Sequence, residues 1–205
     1  LKVNLLAGVN SPGSSPLRTL IIADKASTGT GTAGQLYASV GPEDVATLLG
    51  AGTRGHLLAK ALFKEDGTAR VDLVICAEAG TVKGSGTLTW ASTPTVTWTY
   101  TLRVCGREYT GSWPAGTTHI NQAIAITSLI ASKTNELPVT CTDNGSGVNT
   151  IAAKTDGTWG NDIIVELEIV GGATGTIDGA TTKVTKNLSS GTGEYDPAAA
   201  LTLVS

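Results

Sequence analysis

A glycine-rich segment, Gly29–Gly34, matches the G-x-G-x-x-G pattern with which many proteins bind a dinucleotide. That pattern works where the glycines lie between a strand end and a helix start, because backbone amides then reach the pyrophosphate. Here residues 25–28 separate the glycines from the preceding apolar run, and the next helix signal comes only at Pro42. With 26 glycines in 205 residues, a chance match is expected. We therefore predict a structural loop, and keep an α/β enzyme that uses this loop as an alternative.

Acid–base and metal chemistry have few candidate residues in this sequence. His56 and His119 each lack a second His or Cys at ligand spacing, so surface or packing roles are expected. Glu166 and Glu168 alternate with apolar residues, which is typical of the solvated face of a sheet. The turn at 143–145 carries an Asp but no further acids at the intervals of a calcium loop. The sequence therefore predicts no catalytic residue, no cofactor and no metal site.

The cysteines and tryptophans also favour structural roles. The odd number of cysteines and their wide separation predict reduced, mostly buried thiols at Cys76, Cys105 and Cys141. Four tryptophans could form a platform that stacks on sugars. Trp90 and Trp98, however, fall on alternating strand positions that favour a core or sheet-face role. A Thr-rich β adhesin or carbohydrate-binding module is kept as the alternative to a structural protein.

Charge and composition limit the classes of partner. Lys and Arg number 14 and Asp and Glu 17, so the formal charge is 14 − 17 = −3. Only 15% of residues are charged, which gives no basic surface for nucleic acid or an anionic membrane. No run of 18 apolar residues is present. Abundant Gly and Thr indicate many short strands with polar faces, in one large domain or two small ones.

The first part of the chain predicts a crossover unit. An apolar arm with a Ser/Pro/Gly linker occupies residues 1–16, and a buried strand is expected at 17–24. Residues 25–41 read as a loop, followed by a helix that begins at Pro42 and ends at Gly50. Thr53 is expected to cap a second helix, and a second buried strand lies at 70–77. Strand, two helices and strand predict two parallel strands covered by helices.

From residue 80 onward the pattern is antiparallel. Residues 95–104 alternate with period two, so that Val96, Trp98, Tyr100, Leu102 and Val104 share one face. A helix is expected from about 118 to 134, with one side lined by Ile120, Ala123, Ile124, Thr127 and Ile130. Further strands are predicted at 137–142, 148–154, 162–170 and about 181–188. The predicted fold class is α+β: an incomplete N-terminal α/β crossover layer plus an antiparallel-sheet α+β domain with one packed helix.

Several motifs in order resemble one known family. They are the capped helix rich in Ala and Ile, the Leu-Pro-Val-Thr strand at 137–140, and Gly157-Thr158-Trp159-Gly160-Asn161 before an apolar strand. In this order the segment 117–168 resembles the inserted domain of Mu-like contractile phage tail sheath proteins. The stretch 49–59 is similar to the segment before the sheath helix, and 70–77 is similar to the strand that follows.

The resemblance implies a domain organisation. It makes residues 1–16 an extended arm and linker, 17–80 the α/β part of the sheath core, and 81–190 an inserted α+β domain. Residues 191–205 would begin the rest of the core. A helix signal begins at Asp196 and Pro197, and the sequence ends nine residues after Asp196. The sequence does not begin with Met. We therefore expect a fragment that lacks the family's C-terminal region.

The resemblance also implies a function without catalysis. Such proteins polymerise helically around an inner tail tube and contract to drive it through the host envelope. Implied partners are further copies of the chain, the inner tail tube protein, and the baseplate and tail terminator proteins, with no nucleic acid or membrane. The implied location is the virion tail, assembled in the host cytoplasm. Because apolar extended segments suit strand addition to a sheet edge, subunit-interface candidates are Leu1, Val3, Leu5 and Leu6.

Overall fold

The structure, a computed structural model, describes residues 18–76, 82–170, 178, 183–193 and 197. The interface candidates Leu1, Val3, Leu5 and Leu6 lie outside the described residues, and so does the helix predicted from Asp196, apart from Pro197. The chain divides into two compact units. The first contains the described residues 18–76 and Pro197, and the second contains those from 82 to 193.

Residues 18–76 of the first unit form a three-stranded sheet with two helices. Its elements in chain order are β1 (Arg18–Ala23), β2 (Leu36–Val40), α1 (Pro42–Leu49), α2 (Arg54–Glu65) and β3 (Arg70–Ile75). The strand order is β1-β3-β2, with β1 parallel to β3 and β2 antiparallel to β3. The predicted crossover with its parallel strand pair is confirmed. The two helices pack on one face of the sheet, whose buried core includes Ile21, Val45, Leu49, Leu73 and Ile75.

Strand β2 corrects the expectation that residues 25–41 form only a loop. Leu36 is 44% exposed, and the register shifts between Tyr37 and Val40, where Ser39 adopts a φ of 55°. An edge strand that is short, exposed and irregular leaves no period-two pattern in the sequence.

The two helices of the first unit begin differently. Pro42 opens α1, as predicted, and the Asp44 carboxylate accepts the Gly41 amide at 2.9 Å. Thr53 precedes α2 but does not cap it with its side chain. Its hydroxyl instead donates to the carbonyl of Gly50 at 2.9 Å, at the end of α1. Thr53 is therefore at the N-cap position of α2, as predicted, and its carbonyl accepts the Leu57 amide, but its hydroxyl bonds to Gly50 and makes no side-chain cap.

The second unit combines antiparallel sheets with one α-helix. Its elements are β4 (Ser85–Thr89), β5 (Trp98–Val104), β6 (Arg107–Trp113), α3 (His119–Ser132), β7 (Val139–Asp143), β8 (Val148–Ala153), a 3₁₀ turn (Thr158–Asp162), β9 (Ile164–Val170) and β10 (Lys183–Asn187). The sheet orders are β10-β9-β5-β6 and β4-β8-β7. Helix α3 packs on β7 and β8. The α+β class is confirmed.

Two predicted faces in this unit need correction. Trp98, Leu102 and Val104 are buried as expected, but Val96 is 49% exposed because β5 begins two residues after it. On α3 the buried residues are Gln122, Ala123, Ile126 and Ile130. Ile124, predicted to face the core, is 46% exposed. Apolar residues surround most of this helix, so periodicity alone could not choose the packed side.

A polar network lies inside the core of the second unit. The Trp90 indole N–H donates to Asn149 Oδ1 at 2.6 Å, and Asn149 Nδ2 donates to the Ala123 carbonyl and to Thr127 Oγ1, each at 2.9 Å. Asn149 is fully buried. Because each of these groups is satisfied, the network fixes how β4, β8 and α3 meet rather than weakening the core.

Candidate functional site

The glycine-rich loop covers the carboxyl end of α1. The amides of Thr30 and Gly31 donate to the carbonyls of Thr47 and Leu48, both at 3.0 Å, and Gly34 donates to Ile75 at 2.7 Å. These are carbonyls that a helix or strand end leaves without a partner. A Cβ added at Gly29 would lie 2.6 Å from the Leu48 carbonyl oxygen. The glycines therefore allow a close backbone approach, and their amides are already used within the chain.

A buried polar group near the start of α2 was not found from the sequence. Asp24, at the end of β1, is 2% exposed, and neither carboxylate oxygen has a hydrogen-bond partner among the described residues. Arg54 Nη2 lies 3.8 Å from Asp24 Oδ1. His56 is 2% exposed, and its Nδ1 accepts the Gly52 amide at 2.7 Å. His56 thus has the packing role that was expected. The position of Asp24 directly after a strand did not indicate in the sequence that its side chain is buried.

The two glutamates of β9 lie in a ladder of ion pairs across the outer sheet face. Lys183 Nζ lies 3.0 Å from Glu166, and Arg103 contacts Glu168 at 2.8 Å and Glu108 at 2.9 Å. The hydrogen bond that Lys183 donates lowers the pKa of Glu166, and the hydrogen bonds that Arg103 donates to Glu168 and Glu108 raise the pKa of Arg103. A carboxylate held ionised in this way is unsuited to act as a general acid at neutral pH.

The other polar candidates have local structural roles. In the turn after β7, Asp143 Oδ1 accepts the Gly145 amide, and Asn144 Oδ1 accepts the Ser146 amide at 2.8 Å. These are side-chain turns of the kind that Asp and Asn commonly form. His119 is the first residue of α3. Among the described residues, no three His, Cys, Asp or Glu side chains cluster closely enough to hold a metal ion.

The three thiols differ in exposure. Cys76 is buried and Cys141 is half-buried, but Cys105 is exposed, contrary to the expectation for that residue. Cys105 is displaced from the strand pattern because it forms the two-residue turn between β5 and β6 with Gly106. Although Cys105 is exposed, neighbouring atoms partly shield its thiol from water, and this desolvation raises its pKa, while burial raises the pKa of Cys141. Both are therefore weakly nucleophilic thiols at neutral pH.

Three of the four tryptophans lie in the hydrophobic core. Trp90, Trp98 and Trp113 are each no more than 2% exposed. Trp113 stacks on Tyr100 with ring centroids 4.1 Å apart and meets Trp90 edge to face at 5.1 Å. Trp159 is half-buried and donates its indole N–H to the Asp156 carbonyl. The buried rings therefore have no free face on which a sugar could stack.

The motif Gly157–Asn161 lies where the two ends of the second unit meet. We call residues 82–85, 157–161 and 189–193 the terminal clasp. The entry and exit segments pair antiparallel: Ser85 and Ser189 exchange two backbone hydrogen bonds of 2.9 Å, and Thr192 donates to Val82. The Gly157 amide also donates to the Val82 carbonyl. This one carbonyl of the entry segment therefore accepts hydrogen bonds from 157–161 and from 189–193.

Asn161 closes the terminal clasp with its side chain. Its Oδ1 accepts the Gly191 amide at 2.8 Å, and its Nδ2 donates to the Gly191 carbonyl at 3.1 Å. Glycines make this approach possible: a Cβ on Gly84 would lie 2.6 Å from Gly160, and one on Gly191 would lie 2.4 Å from the Gly157 oxygen. The motif noticed in the sequence is thus a junction of three chain segments.

Next to the clasp, Lys154 covers the end of α3. Its ammonium donates to the carbonyl and hydroxyl of Thr134, two residues beyond the helix. A cation at this position complements the negative end of the helix dipole. Only 5% of Lys154 is exposed, and this burial lowers its pKa to about 8.

Comparison with known proteins found no matching family model and no curated protein with significant sequence similarity. No helix among the described residues is long and apolar enough to cross a membrane. The second stretch that carries the resemblance, 49–59, spans the end of α1, the turn and the first half of α2. The glycine-rich loop, His56, Lys154 and Asn161 each bond backbone groups of another segment.

Proposed function

We propose that the chain is part of a structural subunit of a contractile phage tail sheath. The observation that carries this proposal is the terminal clasp. The segments that enter and leave the second unit pair with each other, which is the arrangement of a domain inserted between two parts of another domain. The clasp residues Gly157, Gly160 and Asn161 belong to one of the motifs that carry the family resemblance.

The first unit supports the same proposal. The sheath resemblance implies an α/β part of the core in residues 17–80, and β1, α1, α2 and β3 form an α/β crossover with a parallel strand pair. The glycine-rich loop, which prompted the enzyme alternative, uses its amides to cap α1. The proposed partners are other copies of the chain, the inner tail tube, and the baseplate and tail terminator proteins. The proposed location is the tail of the virion.

Contraction in this proposal is a rearrangement of whole subunits. Polymerisation stores free energy in contacts between subunits, and a trigger releases it by rigid-body rotation rather than by nucleotide hydrolysis. The proposed links between neighbours are the N-terminal arms, whose residues Leu1, Val3, Leu5 and Leu6 would add a strand to a sheet edge. Deleting residues 1–10 from the full-length protein should abolish normal sheaths in electron micrographs, and unaltered sheaths would contradict this role of the arm.

Immunogold electron microscopy tests the proposed function against the adhesin alternative. Antibodies raised against the chain should label contractile tails along their whole length in particles from the organism that encodes it. Labelling confined to fibres at the tail tip, or found only on cell surfaces, would favour an adhesin instead. Antibodies preabsorbed with the purified chain provide the control for specificity.

A further inference from the structure

The terminal clasp does more than bring two chain ends together. Residues 82–84 precede the first strand of the second unit and residues 188–193 follow its last strand, and both segments form backbone hydrogen bonds within the unit. Ser85 pairs with Ser189, Val82 with Thr192, and Thr158 donates to Gly193 at 2.9 Å. All of these bonds join residues within 82–193.

The second unit also has a hydrophobic core of its own. Its buried residues form one continuous cluster, which extends from Leu88 on β4 to Leu188 after β10. Ile163, which directly follows Asn161 and Asp162, belongs to this cluster and is 3% exposed. Closing the clasp is therefore coupled to packing of the core, because the turn that carries Asn161 leads directly into a buried side chain.

We propose that the terminal clasp makes residues 82–193 a separately folding module, and that Asn161 is the positioning residue that closes it. Bringing the ends of a chain of this length together costs conformational entropy. The paired segments and the double hydrogen bond between Asn161 and Gly191 offset that cost inside the module. The module then needs no help from the first unit to hold its two ends in place. This inference does not depend on the proposed function.

Native cleavage of the full chain tests the independence of the module. Specific protease sites are introduced within residues 77–81 and 194–196, and the folded protein is cut at both. The released piece should unfold cooperatively, with a midpoint within about 2 °C of the corresponding transition in the uncut protein. A released piece that has lost cooperative unfolding, or whose midpoint falls by more than about 10 °C, would overturn the proposal.

Hydrogen exchange on the uncut protein tests Asn161. Asn161→Ala should accelerate exchange of the Gly191 and Ser189 amides at least tenfold and leave amides of β3 unchanged. Asn161→Asp keeps the acceptor for the Gly191 amide and should give an intermediate rate. Asn144→Ala, which alters an exposed turn, is the matched control and should not change the clasp. Equal acceleration in β3 and the clasp, or none in the clasp, would contradict the role of Asn161.

Discussion

Trp90 and Asn149, 59 residues apart in sequence, share a buried hydrogen bond of 2.6 Å between the indole N–H and Oδ1. The same asparagine donates to the helix α3 carbonyl of Ala123 and to Thr127. One side chain therefore connects a strand, its neighbour and the helix packed across them. Among the described residues it is a strong determinant of how this unit is packed, because each broken bond would leave a buried polar group without a partner.

Replacing Asn149 by Ala should destabilise the second unit by about 3 kcal/mol, since it leaves the Trp90 N–H and the Ala123 carbonyl without this partner. Urea unfolding followed by tryptophan fluorescence measures the change. Asn121→Ala, on the exposed side of α3, is the control and should cost less than about 0.5 kcal/mol. Equal small effects of the two substitutions would show that the network adds little stability.

Cys105→Asn should stabilise the protein by about 0.5–1 kcal/mol. Cys105 and Gly106 form a two-residue hairpin turn with φ values of 49° and 77°. Such a turn favours Asn followed by Gly, because Asn tolerates the left-handed region better than Cys does. Thermal unfolding compares the variant with the parent, and Cys105→Val, which is disfavoured at positive φ, should lower the midpoint. A lower midpoint for Cys105→Asn would contradict this reading of the turn.

Gly29→Ala should destabilise the first unit by about 2–4 kcal/mol, because the added Cβ would lie 2.6 Å from a backbone oxygen of α1. Gly67→Ala is the matched control, since nothing lies within 4 Å of a Cβ at that position. It should be neutral or slightly stabilising. Equal tolerance of the two substitutions would mean that the loop does not approach α1 as described.

The same loop gives a ligand prediction. NAD, ATP and GTP should leave the thermal midpoint unchanged, because the amides of Thr30, Gly31 and Gly34 already have carbonyl partners. A nucleotide present at about 100 times its Kd would stabilise the protein by about 2.7 kcal/mol. A shift of that size in a thermal unfolding assay would restore the enzyme alternative.

Lys154 should make the stability of the second unit rise with pH above 8. Its pKa is about 8 in the folded protein, below the ordinary value of 10.5, so the folded state binds fewer protons between these values. The destabilising effect of the buried charge is complete below pH 8 and is relieved as pH rises toward 10.5. The gain is at most about 3 kcal/mol.

Urea unfolding at pH 7.5 and pH 10 measures this gain. Lys154→Met should flatten the rise, whereas Lys133→Met, which alters a more exposed lysine, should preserve it. An identical pH dependence in the parent and Lys154→Met would show that another group is responsible.

Local sequence patterns predicted the regular elements well. The period-two run that contains Trp98 and Leu102 forms β5. Helix α1 begins at Pro42 and ends before Gly50, as expected. Elements with weak or ambiguous patterns were missed or misplaced. The edge strand β2 is mostly exposed, and α3 is apolar on most sides, so the sequence did not show that Ile124 faces solvent.

The candidate site could be predicted only in part, because it depends on contacts between distant residues. The motif that ends at Asn161 was visible in the sequence, but its partner Gly191 lies 30 residues later in a Gly/Ser/Thr loop. Nothing local links the two. The burial of Asp24 likewise results from packing at the start of α2 rather than from its neighbours in sequence.

A helical reconstruction of the extended tail by cryo-electron microscopy tests the proposed sheath function most directly. The particles should come from the organism that encodes the chain. Each sheath subunit should contain density for both units, with Ser85 and Ser189 paired in the second unit. A sheath lattice whose subunits accommodate neither unit would contradict the proposed function, even if the terminal clasp behaves as described.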